Sequence, residues 1–124
     1  MYQEHTALQA AGQLLLAFAF LATGIRNAGW KFRQHVERMA SYGVPKPALA
    51  LSVGLVLQVT GAALLALDVS RTAGAILLIV FTVLASAIFH RWWLVQDPLL
   101  QHLHLSSLLV NCGMVGALLL VAAI

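Results

Sequence analysis

Thr82, Ser86 and His90 are the polar residues of an apolar run that ends in a basic and aromatic cluster, TVLASAIFHRWW. Their i, i+4, i+8 spacing puts two hydroxyls and an imidazole in one stripe on a helix. A second stripe follows downstream, where His104, Ser107 and Asn111 stand at i, i+3, i+7. Gln58 adds an amide near the middle of another apolar run. Side chains of these types can hold a small polar head group such as that of a quinone. With an imidazole at one end they can also pass a proton near neutral pH. The same groups can instead serve only as hydrogen-bonded glue between helices. Gln58, Thr82, Ser86, His90, Ser107 and Asn111 are therefore the candidate binding set, as a quinone or proton-path seam.

Catalysis and metal binding have little support. Two imidazoles on facing helices can ligate haem or a metal. However, the chain has no HxxxH pair, no CxxC and no c-type haem motif, and His102 and His104 are two apart and point to different faces. No metal, no haem and no catalytic residue are expected. Arg91 reads as a cation anchored at an interface by its long stem. Cys112 reads as a packing residue, because burial in an apolar helix disfavours its thiolate. A single cysteine also precludes a disulfide within the chain.

The elements that must position these groups follow from composition. Of 124 residues, 61% are hydrophobic and only 9% charged, and mean hydropathy is +0.91. A soluble domain carries about 25% charged residues, so this chain cannot cover itself with polar surface and lipid is the expected solvent. Nucleic acid is a poor partner for so few cations. The length allows one domain. Four apolar spans are expected at about 7–26, 47–67, 71–92 and 101–123, each able to cross roughly 30 Å of hydrocarbon. A signal peptide is the competing reading of the first span, but the basic n-region it needs is absent. Gln9 and Gln13 share a face of that span and are expected to point inward. Gly54, Gly61, Ala62 and Ala63 in the second span, and Gly113 and Ala117 in the fourth, suit close helix contact. Asp68, Ser70 and Arg71 form a tight turn that makes the second and third spans antiparallel neighbours.

Between the first two spans, 28–43 reads as a short amphipathic helix in the headgroup region, with Phe32, Val36, Met39 and Ala40 on one side. Gly43 fits the C′ position, Pro45 stops the helix and Pro47 can open the next. The fold class is thus all-α, an integral membrane four-helix bundle with one interfacial helix. Five of the seven Lys and Arg residues lie between Arg26 and Lys46. With Arg91 they place the 1–2 and 3–4 connections in the cytoplasm and both termini outside. Trp30, Trp92 and Trp93 then fall in the cytoplasmic aromatic belt, and His35, His90, His102 and His104 lie on that side, with His5 on the other. Ser86 and Ser107 come to one depth, and His90 and His104 to a deeper cytoplasmic one.

Several stretches resemble the DoxX-like family of small four-helix bacterial membrane proteins. They are FLATGIRNAGWKF, YGVPKP, GLVLQVTGAALLALDVSRTAG, IFHRWW and NCGMVGALLL. Two positions depart from that pattern, with Gln58 where the family usually has Glu and Val110 where Lys often precedes Asn. The resemblance implies a multi-pass protein of the bacterial inner membrane associated with quinone-linked redox enzymes, as a subunit or accessory protein more than as an enzyme on its own. Other subunits of such a complex, or further copies of the chain, are the implied partners. A non-catalytic anchor or assembly factor is the alternative. A small transporter fits poorly, since four short helices leave little room for a closed pathway.

Overall fold

The computed structural model describes residues 6–124, the Trp92 side chain excepted, so His5 and the Trp92 ring lie outside the described residues. The described chain is helical, without strands. The elements are α1 (Ala7–Gly29), α2 (Phe32–Ser41), α3 (Pro47–Leu67), α4 (Arg71–Phe89), a single 3-10 turn (Trp92–Leu94) and α5 (Pro98–Ala123). Four of them, α1, α3, α4 and α5, are long and apolar enough to cross a membrane. α1 packs on α3, α3 on α4 and α4 on α5, while α2 lies mainly against α3. Each consecutive pair is antiparallel. One end of the bundle carries α2 and the His90 region, and the other carries the Asp68 turn.

Local chemistry sets most boundaries. Thr6 and Gln9 form a capping box, the Thr6 hydroxyl accepting from the Gln9 N–H and the Gln9 Oε1 from the Thr6 N–H. Gln9 therefore caps α1 at the surface, and the expectation that it points inward is corrected. Gln13, one turn on, does point inward and is fully buried. α1 also runs three residues past its expected end, to Gly29, where the Trp30 N–H still reaches the Arg26 carbonyl. α2 ends in a Schellman motif. Gly43, at φ +79°, follows the Tyr42 cap, and the N–H groups of Gly43 and Val44 bond the carbonyls of Ala40 and Met39 at 3.1 Å each. Pro47 is the first residue of α3. At α5 the Asp97 carboxylate accepts from the N–H groups of Leu99 and Leu100, with Pro98 at N1. The Gln96–Pro98 break is thus the cap of α5, and the helix starts three residues before the expected 101.

α4 is shorter than the expected 71–92 span and stops at Phe89. His90 leaves helical geometry at φ −115°, ψ 46°. The Arg91 Nε donates back to the Ala87 carbonyl at 2.6 Å, supplying a partner to a carbonyl that the lost turn would leave orphaned. Arg91 also lies over the Tyr42 ring at 5.7 Å. It is a cap that joins α4 to the end of α2, a more specific role than a loose interfacial anchor.

Two apolar clusters hold the bundle. Toward the Asp68 end, Ala17 and Phe20 of α1 meet Ala62 and Leu65 of α3, Ala75 and Leu78 of α4, and Leu118 and Val121 of α5. At the other end, Met39 of α2 packs with Leu51 and Leu55 of α3. Phe32, Val36, Val44, Ile88 and Phe89 surround it. The apolar face of α2 is therefore spent on the protein. Polar bonds brace the Asp68 end. The Gln13 Nε2 donates to the Leu65 carbonyl at 2.8 Å and to the Asp68 carboxylate at 3.0 Å. Arg71 pairs with Asp68 at 3.6 Å and bonds the Ile124 carbonyl at 2.8 Å. All four long helices meet in this set.

The backbones approach closely at Gly61 and Gly74, at the α3–α4 crossing. A Cβ on Gly74 would stand 2.9 Å from the Gly61 carbonyl oxygen and 3.1 Å from the Leu65 N. These are backbone atoms that cannot rotate aside. Gly113 is exposed with open space around it, so the expected Gly113–Ala117 contact is not made with another helix of this chain. Gly61 and Ala62 of α3 do pack, whereas Gly113 of α5 faces outward. We expect Gly74→Ala to destabilise the protein by about 1–3 kcal/mol through overpacking. Gly113→Ala should be neutral or stabilising, by up to about 1 kcal/mol of helix propensity. Reversible unfolding in mixed micelles measures both.

Candidate functional site

The two apolar clusters leave a cavity of about 300 Å³ between them. α1 contributes Phe20, Thr23 and Asn27, and α3 contributes Leu51, Leu55 and Gln58. Phe81, Thr82 and Phe89 of α4 and Asn111 and Met114 of α5 form the facing wall, and His35, Arg38 and His90 stand at the α2 end. Phe20 and Phe81 meet edge to face, with centroids 6.5 Å apart. The chamber has aromatic and aliphatic walls and a few polar groups, which is the usual make-up of a small-molecule site.

Each polar group is held by a different element. Gln58 is buried in α3, and its Nε2 donates to the Phe20 carbonyl of α1 at 2.9 Å. Its Oε1 is buried without a hydrogen-bond partner. Gly24 makes room for this amide, since a Cβ there would lie 3.2 Å from the Gln58 Cδ. Thr82 donates to the Leu78 carbonyl at 2.7 Å, within its own helix, so its oxygen is still able to accept. Ser86 accepts from the Asn111 Nδ2 at 2.9 Å, which bonds α4 to α5. One turn nearer α2, the Nδ1 atoms of His90 and His104 face each other at 3.4 Å, with the rings tilted by 49°. Such a pair needs one ring as donor and the other as acceptor, so at least one imidazole is neutral.

Five of the six candidate residues thus meet around this region. Thr82, Ser86, His90 and Asn111 share the α4–α5 seam, as their stripes predict. Gln58 borders the same chamber but bonds to α1. Ser107 is half-buried and does not line this cavity. Cys112 is exposed, on the outer side of α5, so the packing role expected for it is corrected. α5 carries apolar residues on every side, and its sequence does not mark which face packs. His102 is exposed and His104 half-buried, consistent with opposite faces. Asn27, Thr23, His35 and Arg38 are site residues that the stripe argument missed. The His35 Nδ1–H donates to the Lys31 carbonyl at 2.7 Å, and the ring stacks edge to face on Phe89. The amphipathic pattern of α2 was the available signal, because a helix with an apolar face must set it on something. Among the described residues, no group of three or more His, Cys, Asp or Glu side chains converges as a metal site would require.

A model of the DoxX family matches residues 8–91. The chain belongs to the DoxX family. The match takes in α1 to α4, with Gln58, Thr82, Ser86 and His90, and stops before α5. The DoxX-like reading of NCGMVGALLL therefore lies outside the matched region. No curated protein and no solved structure matches the chain. As a DoxX protein with four helices able to span a membrane, it is a multi-pass membrane protein.

His90 sits just past α4 and titrates abnormally. Burial lowers its pKa below the ordinary value, and the positive charges of His104 and Arg38 push it further the same way. The folded state therefore holds this proton less tightly than the unfolded state does. As pH falls below about 6.5, the unfolded chain takes up the proton first, and stability is lost with falling pH. Unfolding midpoints should fall between pH 8 and pH 5.5. His90→Gln should flatten that decline.

Proposed function

We propose that this DoxX protein is a small subunit or accessory protein of a membrane redox complex, and that its inner chamber takes the ring of a quinone-type head group. The observation that carries the reading is the chamber's make-up. About 300 Å³ lies at the small end of ligand sites and suits one substituted ring. Phe20, Phe81 and Phe89 offer faces for stacking. Asn111, the Thr82 oxygen and the unpartnered Gln58 Oε1 border the floor. The His90–His104 pair and Arg38 stand at the mouth, where a proton released from or taken by the ring can reach water. On this reading the electron donor belongs to a partner subunit or a second copy. Positive charge around α2 supports an orientation with that end in the cytoplasm and the termini outside, in a bacterial inner membrane.

A second reading, a structural anchor or assembly factor, is favoured by one specific observation. Gln58, Thr82 and Asn111 each already have a partner inside the protein. The two readings separate on binding. Protein in lipid nanodiscs, titrated with a short-chain benzoquinone and its hydroquinone, should show saturable quenching of tryptophan fluorescence. Gln58→Leu should weaken binding by roughly tenfold, the worth of one buried hydrogen bond. Non-saturable partitioning, equal in both proteins, would leave only the anchor role. Mild-detergent isolation with mass spectrometry should recover larger redox subunits, and their absence would remove the complex from the proposal.

A further inference from the structure

α5 is fastened unevenly. Its buried residues are Leu118 and Val121, both toward the Asp68 end. From Pro98 to Ala117 none of its residues is buried. Over that stretch Met114 packs against the apolar cluster, and two polar side-chain contacts join α5 to α4 and its cap, Asn111 to Ser86 at 2.9 Å and His104 to His90 at 3.4 Å. A second, largely apolar hollow of about 270 Å³ lies outside the seam, bordered by Ala87, Leu108, Cys112 and Val115. Ala87 and Cys112 are exposed, so this hollow opens to the surface that lipid covers. Thr82 and Asn111 line both it and the inner chamber. At this seam the partition between bilayer and chamber is one layer of side chains thick, and the two hydrogen-bonding contacts cross it.

From these positions we propose that the α2-end halves of α4 and α5 form a lateral portal, through which an amphipathic, lipid-soluble ligand passes between the bilayer and the inner chamber. The class of ligand rests on the reading in the preceding subsection. The portal opens when the Ser86–Asn111 and His90–His104 contacts part and α5 tilts about its Leu118–Val121 anchor. Interhelical polar contacts in membranes are individually weak, so losing both changes the closed-to-open ratio by only roughly tenfold. The outer hollow then serves as the waiting position for the ring or its tail. Passage through the α2 end from water does not suit a ligand that partitions into lipid.

The test locks the seam without touching the chamber. In a Cys112→Ala background, Ala87→Cys and Leu108→Cys place two thiols on the outer hollow, where a short bifunctional thiol reagent can bridge them. Stopped-flow quenching with a short-chain benzoquinone should then show association and dissociation slowed together by roughly tenfold or more, with the equilibrium constant unchanged. Binding with unaltered rates would overturn the portal and leave the chamber's ligand in place. If no benzoquinone binds at all, the ligand reading fails and spin labels on the same two positions decide. Two inner separations, with one fixed separation for labels on Ile76 and Leu119, support the portal. A single narrow inner separation rules it out.

Discussion

Lipid offers no hydrogen bonds, and that constraint organises the whole molecule. A polar side chain within a span must find its partner in protein. Among the described residues, Gln13, Gln58, Thr82 and Ser86 are the buried polar ones, and every one faces another helix or its own backbone. Gln13 and Gln58 do the most, because each carries an amide from one helix to a main-chain carbonyl of another. They fix α1 against α3 at two depths. The Gly61–Gly74 contact then brings α3 and α4 so close that the pair forms a rigid centre.

The two ends differ because the apolar residues are distributed unequally. At the Asp68 end all four long helices contribute to one cluster, and the Gln13–Asp68–Arg71 set seals it. At the other end α2 fills the space over α3 and the end of α4, but α5 contributes no buried residue there. The chamber is what remains between those two packings. Its polar lining is the same set of groups that lipid excludes. On the proposed reading, a ligand that can stack and hydrogen-bond is favoured there over water, because so few of the walls are polar.

Much of this was legible from residues. The four spans, the cap at Gly43, Pro47 at the start of α3 and the facing stripes of α4 and α5 follow from periodicity, capping chemistry and depth. What failed did so for identifiable reasons. Gln9 and Gln13 have the same spacing signal, but Gln9 lies within the first turn, where an orphan N–H at Thr6 is a better partner than the core. The apolar pattern continues to Trp93 and so suggests helix through His90, where α4 has already ended. The Arg91 bond to Ala87 that ends the helix is a side-chain event without a sequence period. Cys112 and Gly113 were placed inside because α5 is apolar all round. The chamber itself joins residues from Phe20 to Met114, and no local spacing announces a contact of that range.

The account stands on α4 and α5 turning their imidazole, hydroxyl and amide groups toward each other in the bilayer. Solid-state NMR of protein labelled with nitrogen-15 histidine in lipid bilayers tests this directly, with assignments from single substitutions. A through-space correlation between the His90 and His104 ring nitrogens, with few contacts to acyl-chain protons, is the expected result. Two uncorrelated rings, each in contact with acyl chains, would contradict it.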